Sequence, residues 1–141
     1  AIEKKVSVLI NNAAIGCPSI NFEDYTIEQI NHMIDVNLRA PILLSHILVN
    51  QLNTIININS MVGLEIKKPR TIYSATKWGL RGFSNSLKEE NKSLNVLDVY
   101  PTNIKTSPDR LNAMDPVVVV DKIYESYTNR NKKLILDGRP K

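Results

Sequence analysis

Tyr73 and Lys77 stand one helical turn apart in the run Ile72-Tyr73-Ser74-Ala75-Thr76-Lys77-Trp78, and Ser60 lies upstream at the end of an apolar run. On a helix, positions i and i+4 share a face, so the Lys77 ammonium can approach the Tyr73 phenol without distorting the backbone. Proximity matters because a phenol is a poor base: to act near neutrality a tyrosine must lose roughly 3 pKa units, about 4 kcal/mol of preferential stabilisation of its anion. One cation about 4 Å away, at an effective dielectric of about 20, supplies roughly 4 kcal/mol. With Ser60 the pair therefore makes a trio that has the parts of a redox active site.

Something must hold these groups together, and the hydrophobic pattern says what. Four short apolar runs read as buried strands, Val6 to Asn11, Thr54 to Asn59, Val96 to Tyr100 and Lys133 to Leu136. Helix-period segments lie between them. The first is capped by Thr26, carries Ile27, Ile30, Ile34, Leu38 and Ile42 on one face, and runs toward Leu52. A second spans about Thr71 to Leu94, and a third about Pro116 to Asn129, with Asp115 as its cap. Strands alternating with helices predict an α/β fold with a parallel sheet, whose ligands gather beyond the carboxyl ends of the strands. Asn11, Ser60 and Pro101 fall at or just past such ends. No repeat, low-complexity tract or linker divides residues 1–141, which read as a single domain.

Taken in order, several motifs resemble those of the short-chain dehydrogenase/reductase family. Asn11-Asn12-Ala13-Ala14 resembles its N-N-A-G loop, and Asn37 its helical tetrad asparagine, with Ser60, Tyr73 and Lys77 completing that tetrad. Tyr100-Pro101-Thr102-Asn103-Ile104-Lys105-Thr106 resembles the P-G-x-[IV]-x-T segment that contacts the nicotinamide. Any one of these is a weak signal, and their order and spacing make it strong. The resemblance implies a Rossmann-type, doubly wound parallel sheet and an NAD(P)-dependent oxidoreductase. Such an enzyme moves hydride between a nicotinamide cofactor, NAD or NADP, and a small carbonyl compound or secondary alcohol. Tyr73 would be the general acid/base, Ser60 would hold the substrate oxygen, and Lys77 would activate Tyr73 and bind the ribose hydroxyls. Cofactor contacts would come from Asn11, Ala13, Tyr73, Lys77, Pro101, Ile104 and Thr106. Pro41 has no N–H for the carbonyl of Asn37, so that carbonyl is expected to bind a water leading toward Lys77, as in the family's proton relay. A homodimer or homotetramer, paired through the helices bearing Asn37 and Tyr73, is likewise implied.

The chain also departs from the pattern. Ala14 and Thr102 stand where the family has glycine, adding bulk near the cofactor. The family's first third, with its T-G-x-x-x-G-x-G loop, is missing from these residues, so the domain reads as incomplete and its own dinucleotide affinity as poor. The same gap leaves Val6 to Asn11, apolar on both faces, at an open sheet edge. A catalytically silent scaffold or dinucleotide sensor is the alternative reading.

Composition sets the outer limits. With 141 residues, 43% hydrophobic and 23% charged, the chain is globular. Its net charge of +4 is broken up by acidic residues, so no nucleic-acid partner is expected. The single cysteine, Cys17, reads as inert, and no Cys/His spacing suggests a metal. His32 and His46 lack partner ligands. Trp78 should point away from the Tyr73 face as a packing or subunit contact. No apolar run is long enough for a membrane span or a signal peptide, and a cytoplasmic location is expected.

Overall fold

The computed structural model describes residues 5–16, 18–108 and 110–139, so Cys17 falls outside the described residues. Strands β1 (Val8–Asn11), β2 (Thr54–Ile58), β3 (Asn95–Pro101) and β4 (Lys133–Leu136) form one four-stranded parallel sheet in that order. These are the expected runs to within two residues at each end. Alternate strand residues face opposite ways and build two cores. On one face Ile56, Leu97, Val99 and Leu136 pack with Val119 of helix α4 (Pro116–Thr128). On the other, Ile55 and Val96 pack against Leu48 of α2 (Ala40–Leu48) and Leu87 of α3 (Thr71–Glu90). Each fully buried aliphatic side chain contributes about 1.5–3 kcal/mol. Helices on both faces of a parallel sheet make this a doubly wound α/β fold.

Thr26 caps α1 (Ile27–Ile34) through a reciprocal box with Gln29. The single helix expected from Thr26 to Leu52 is, however, interrupted. A π turn over Asp35–Arg39 separates α1 from α2, and the Ala40 N–H donates to the Asp35 carbonyl. Pro41 supplies the reason: it has no N–H to continue an i→i−4 ladder, and a widened turn just upstream absorbs the mismatch. The inward face changes accordingly. Met33, Asn37, Pro41 and Ser45 are buried, whereas Ile27 and Ile34 of the expected apolar stripe are exposed.

Polar contacts fix how α3 lies on the sheet. Across the strands Asn11, Asn57 and Asp98 stand in register. Asn11 Nδ2 donates to Asn57 Oδ1 at 2.7 Å, and Asn57 Nδ2 donates to Ser84 Oγ of α3 at 2.8 Å. Asp98, fully buried on β3, takes a 2.6 Å contact from Lys88 Nζ. Buried polar groups cost free energy unless paired, so this row permits one seating of α3 and penalises slippage. Because a crossover helix runs antiparallel to its strands, that seating brings the first turns of α3, and with them Tyr73 and Lys77, to the carboxyl end of the sheet. At one edge of the sheet β1 pairs, among the described residues, only with β2, and Ile10 is 56% exposed.

Candidate active site

Beyond the carboxyl ends of the strands lies a cavity of about 320 Å³, and Ser60, Tyr73, Lys77, Pro101, Ile104 and Thr106 all line it. The residues come from three separate segments that only the sheet brings together. Ser60 caps a single 3-10 turn, Met61–Gly63, after β2. Its Oγ accepts from the Val62 N–H at 3.2 Å, which engages a lone pair and leaves the hydroxyl hydrogen as the group available for donation.

Lys77 is only 2% exposed. Its Nζ donates to the Ile58 carbonyl at 3.1 Å, at the last residue of β2. The same nitrogen sits 5.6 Å from the centroid of the Tyr73 ring, so the two groups share a face of α3, as the i, i+4 spacing requires. Burial pushes the Lys77 ammonium down from 10.5 to about 8, because taking a charge out of water disfavours it. At neutral pH the amine is still mainly charged.

Asn59 does the positioning and was read only as a strand residue. Its Nδ2 donates to the backbone carbonyl of Lys77 at 3.1 Å, and its Oδ1 accepts from the Ser60 N–H at 2.9 Å. One buried amide thus sets the distance between the serine and the helix turn carrying the lysine. Gly63 makes room for it: a Cβ there would lie 2.7 Å from Asn59 Oδ1 and 3.1 Å from the Lys77 carbonyl. The sequence signal was the Asn57-Ile58-Asn59 alternation, which puts two amides on the α3 face of β2.

The remaining candidates lie around this centre. Asn37 is buried outside the cavity lining, and its amide clamps the loop after β1: Oδ1 accepts from the Ile15 N–H at 2.7 Å, and Nδ2 donates to the Ile15 carbonyl at 3.0 Å. Asn11 points into the sheet and Ala13 to the surface, whereas their neighbours Asn12 and Ala14 line the cavity. Thr102, one of the two glycine replacements, is put to use. Its Oγ1 accepts from the Gly138 N–H at 2.9 Å, holding the segment after β4 against the site. Trp78 is exposed, with the Arg81 guanidinium 5.1 Å from its ring centroid. His32 and His46 are exposed, and no metal-binding cluster occurs among the described residues. Among the same residues no helix is long and apolar enough to cross a membrane.

Comparison with known proteins points to one family. A family model described as short chain dehydrogenase matches residues 2–114. The chain is 33% identical over 129 residues to the 3-oxoacyl-(acyl-carrier-protein) reductase FabG of Rickettsia conorii, covering 84% of this chain and 52% of that protein. It is 33% identical over 101 residues to the acetoacetyl-CoA reductase of an Acinetobacter species, covering 68% and 40%. Among solved structures, the bulky-bulky ketone specific alcohol dehydrogenase of Comamonas testosteroni superposes with a TM-score of 0.84 at 27% identity, covering 95% of this chain and 56% of that one. A short-chain dehydrogenase of Sphingobium yanoikuyae, solved in complex with NADPH, gives 0.82 at 25% identity, covering 95% and 58%. The chain belongs to the short-chain dehydrogenase family. It spans about half the length of the curated relatives it matches first.

Proposed function

We propose that the protein is an NAD(P)-dependent oxidoreductase acting on a carbonyl compound or its secondary alcohol. The observation that carries this reading is the meeting of Ser60, Tyr73 and Lys77 in one cavity at the carboxyl end of a doubly wound sheet. When bound, a nicotinamide dinucleotide, NAD or NADP, would supply or accept the hydride. The donor set suits its nicotinamide end. Lys77 has three N–H groups, of which the Ile58 carbonyl takes one, leaving donors for ribose hydroxyls. Pro101 and Ile104 give an apolar wall against which a flat ring can lie.

The chain's own residues then divide the work. Ser60 directs its hydroxyl hydrogen at the substrate oxygen and stabilises the charge that grows there. Tyr73 delivers a proton to that oxygen in reduction and removes it in oxidation. Lys77 keeps a positive charge beside the phenol: its Nζ is 5.6 Å from the ring centroid, and at that range and an effective dielectric of about 20 a cation favours negative charge on the ring by about 3 kcal/mol. Asn37 holds the loop carrying Asn12 and Ala14 in place. Its own carbonyl, which Pro41 cannot engage, receives a water on a proton path toward Lys77. A high-resolution structure showing another hydrogen-bond donor in that position would remove the path. In this reading the enzyme is cytoplasmic and assembles as a homodimer or homotetramer through the faces bearing Asn37 and Tyr73.

The test is oxidation of NADPH and NADH by the full-length protein over a panel of ketones. Ketone-dependent turnover, lowered by at least about a hundredfold in Tyr73→Phe, supports the proposal. A folded protein that binds dinucleotide but turns over no ketone or alcohol would instead be a silent scaffold or sensor.

A further inference from the structure

Five of the side chains lining the cavity are cationic, Lys67, Arg70, Lys77, Arg110 and Arg139, and no carboxylate lines it among the described residues. Lys77 is accounted for above. Of the others, Arg139 is already engaged. It makes a two-pronged contact with Glu65 at 2.9 and 3.0 Å and another with Asp137 at 2.6 and 2.8 Å, which tie the chain after β4 to the β2–α3 segment. The pairing with Arg139 holds both acids below the usual carboxylate range, and Lys67 is near enough to lower each further. This triad carries one net negative charge. Against it stand three cations, Lys67, Arg70 and Arg110, none of which forms an ion pair among the described residues. The described residues therefore leave the mouth with net positive charge, which raises the local concentration of anions.

Position separates Lys67 and Arg70 from the nicotinamide wall, whereas Arg110 lies on it, its Nη1 donating to the Ile104 carbonyl at 3.3 Å. Lys67 and Arg70 belong to the segment joining Ser60 to Tyr73, the two residues proposed to address the reacting oxygen. Arg139 comes to the same corner through Glu65. By contrast, the β1 side of the cavity is lined by Asn12, Ala14 and Gly16, which carry no charge.

Resting on the oxidoreductase reading, we infer that the substrate is an anionic carbonyl compound. Its carboxylate or phosphate is held by Lys67 and Arg70, while its carbonyl lies at Ser60 and Tyr73. Arg139 acts as a strut that keeps this corner formed. A guanidinium and an ammonium together suit either anion, Arg70 offering paired donors and Lys67 a compact point charge.

The experiment uses the full-length protein and matched probes. Acetoacetate carries a carboxylate, and 3-oxobutanoyl-pantetheine 4′-phosphate carries a phosphate. Methyl acetoacetate and the unphosphorylated pantetheine thioester are their uncharged counterparts. In low salt, kcat/KM for at least one anionic probe should exceed that of its uncharged counterpart by about tenfold or more, and the ratio should shrink as salt is raised. Arg70→Gln and Lys67→Gln should each lower the ratio, and Arg70→Glu should lower it further. Which pair shows the preference identifies carboxylate or phosphate. Calorimetric titration of the same probes measures the preference without turnover, so it still decides the matter if the protein reduces none of them and the oxidoreductase reading falls. Equal kcat/KM and equal binding within both pairs would overturn the inference. So would substitutions that raise KM for the dinucleotide while leaving the anionic-to-neutral ratio intact.

Discussion

Replacing Lys77 by methionine should change the stability of the fold in a way that depends on pH. The ammonium is 2% exposed, and burial lowers its pKa from 10.5 to about 8. Below about pH 8 the amine is charged in folded and unfolded chains alike, and the folded state bears the full cost of burying it. Between about 8 and 10.5 the folded side chain is neutral while the unfolded one still binds a proton, so wild-type stability rises with pH across that window. The shift corresponds to roughly 3 kcal/mol. Methionine removes the titrating group but also leaves the Ile58 carbonyl without its donor, a pH-independent loss of about 1–3 kcal/mol. The two effects partly cancel at pH 7, whereas the pH dependence isolates the first. Denaturant unfolding of the full-length wild type and Lys77→Met between pH 6.5 and 10.5 is the assay. Wild type should gain about 3 kcal/mol on the variant from the low to the high end. A difference that stays flat would mean that the surroundings do not penalise the ammonium, and wild type losing ground as pH rises would mean that they stabilise it; either refutes the burial argument.

Other expectations concern the supports of the site. Gly63→Ala drives a methyl against Asn59 Oδ1 and the Lys77 carbonyl, and should cost about 1–3 kcal/mol in denaturant unfolding together with a lower kcat. Lys88→Met leaves the Asp98 carboxylate buried without its cation and should destabilise by about 3–5 kcal/mol; Lys88→Met combined with Asp98→Leu should recover most of that in the same measurement. In steady-state kinetics, ketone reduction should decline as pH rises through about 8, where Lys77 loses its charge, and Lys77→Arg should move that limb upward.

Much of this was legible in the sequence because the signals were local. Strand runs bounded by polar residues, Thr26 as a helix cap, and Asp115 before Pro116 each specify an element from neighbouring residues alone, and all formed where expected. The Tyr73/Lys77 relation follows from helical spacing. What escaped depends on contacts between distant segments. Arg139 reaches Glu65 across 74 residues, so the charge at the cavity mouth cannot be read from either segment. Asn59 acts on a carbonyl 18 residues away, and nothing in its own neighbourhood announces that partner. The π turn is an intermediate case. Pro41 was visible as a break in the ladder, but the resulting rotation, which buries Met33 and exposes Ile34, emerges only when the helix is packed.

The central claim is that Tyr73 and Lys77 act as one proton-transferring unit, and a double-mutant cycle on kcat for ketone reduction tests it most directly. In the full-length protein, Tyr73→Phe and Lys77→Met should each lower kcat by at least about a hundredfold, and the double variant should be little slower than the worse single one, because a unit can be broken only once. Losses that multiply in the double variant, or a Tyr73→Phe protein that keeps the wild-type rate, would contradict it.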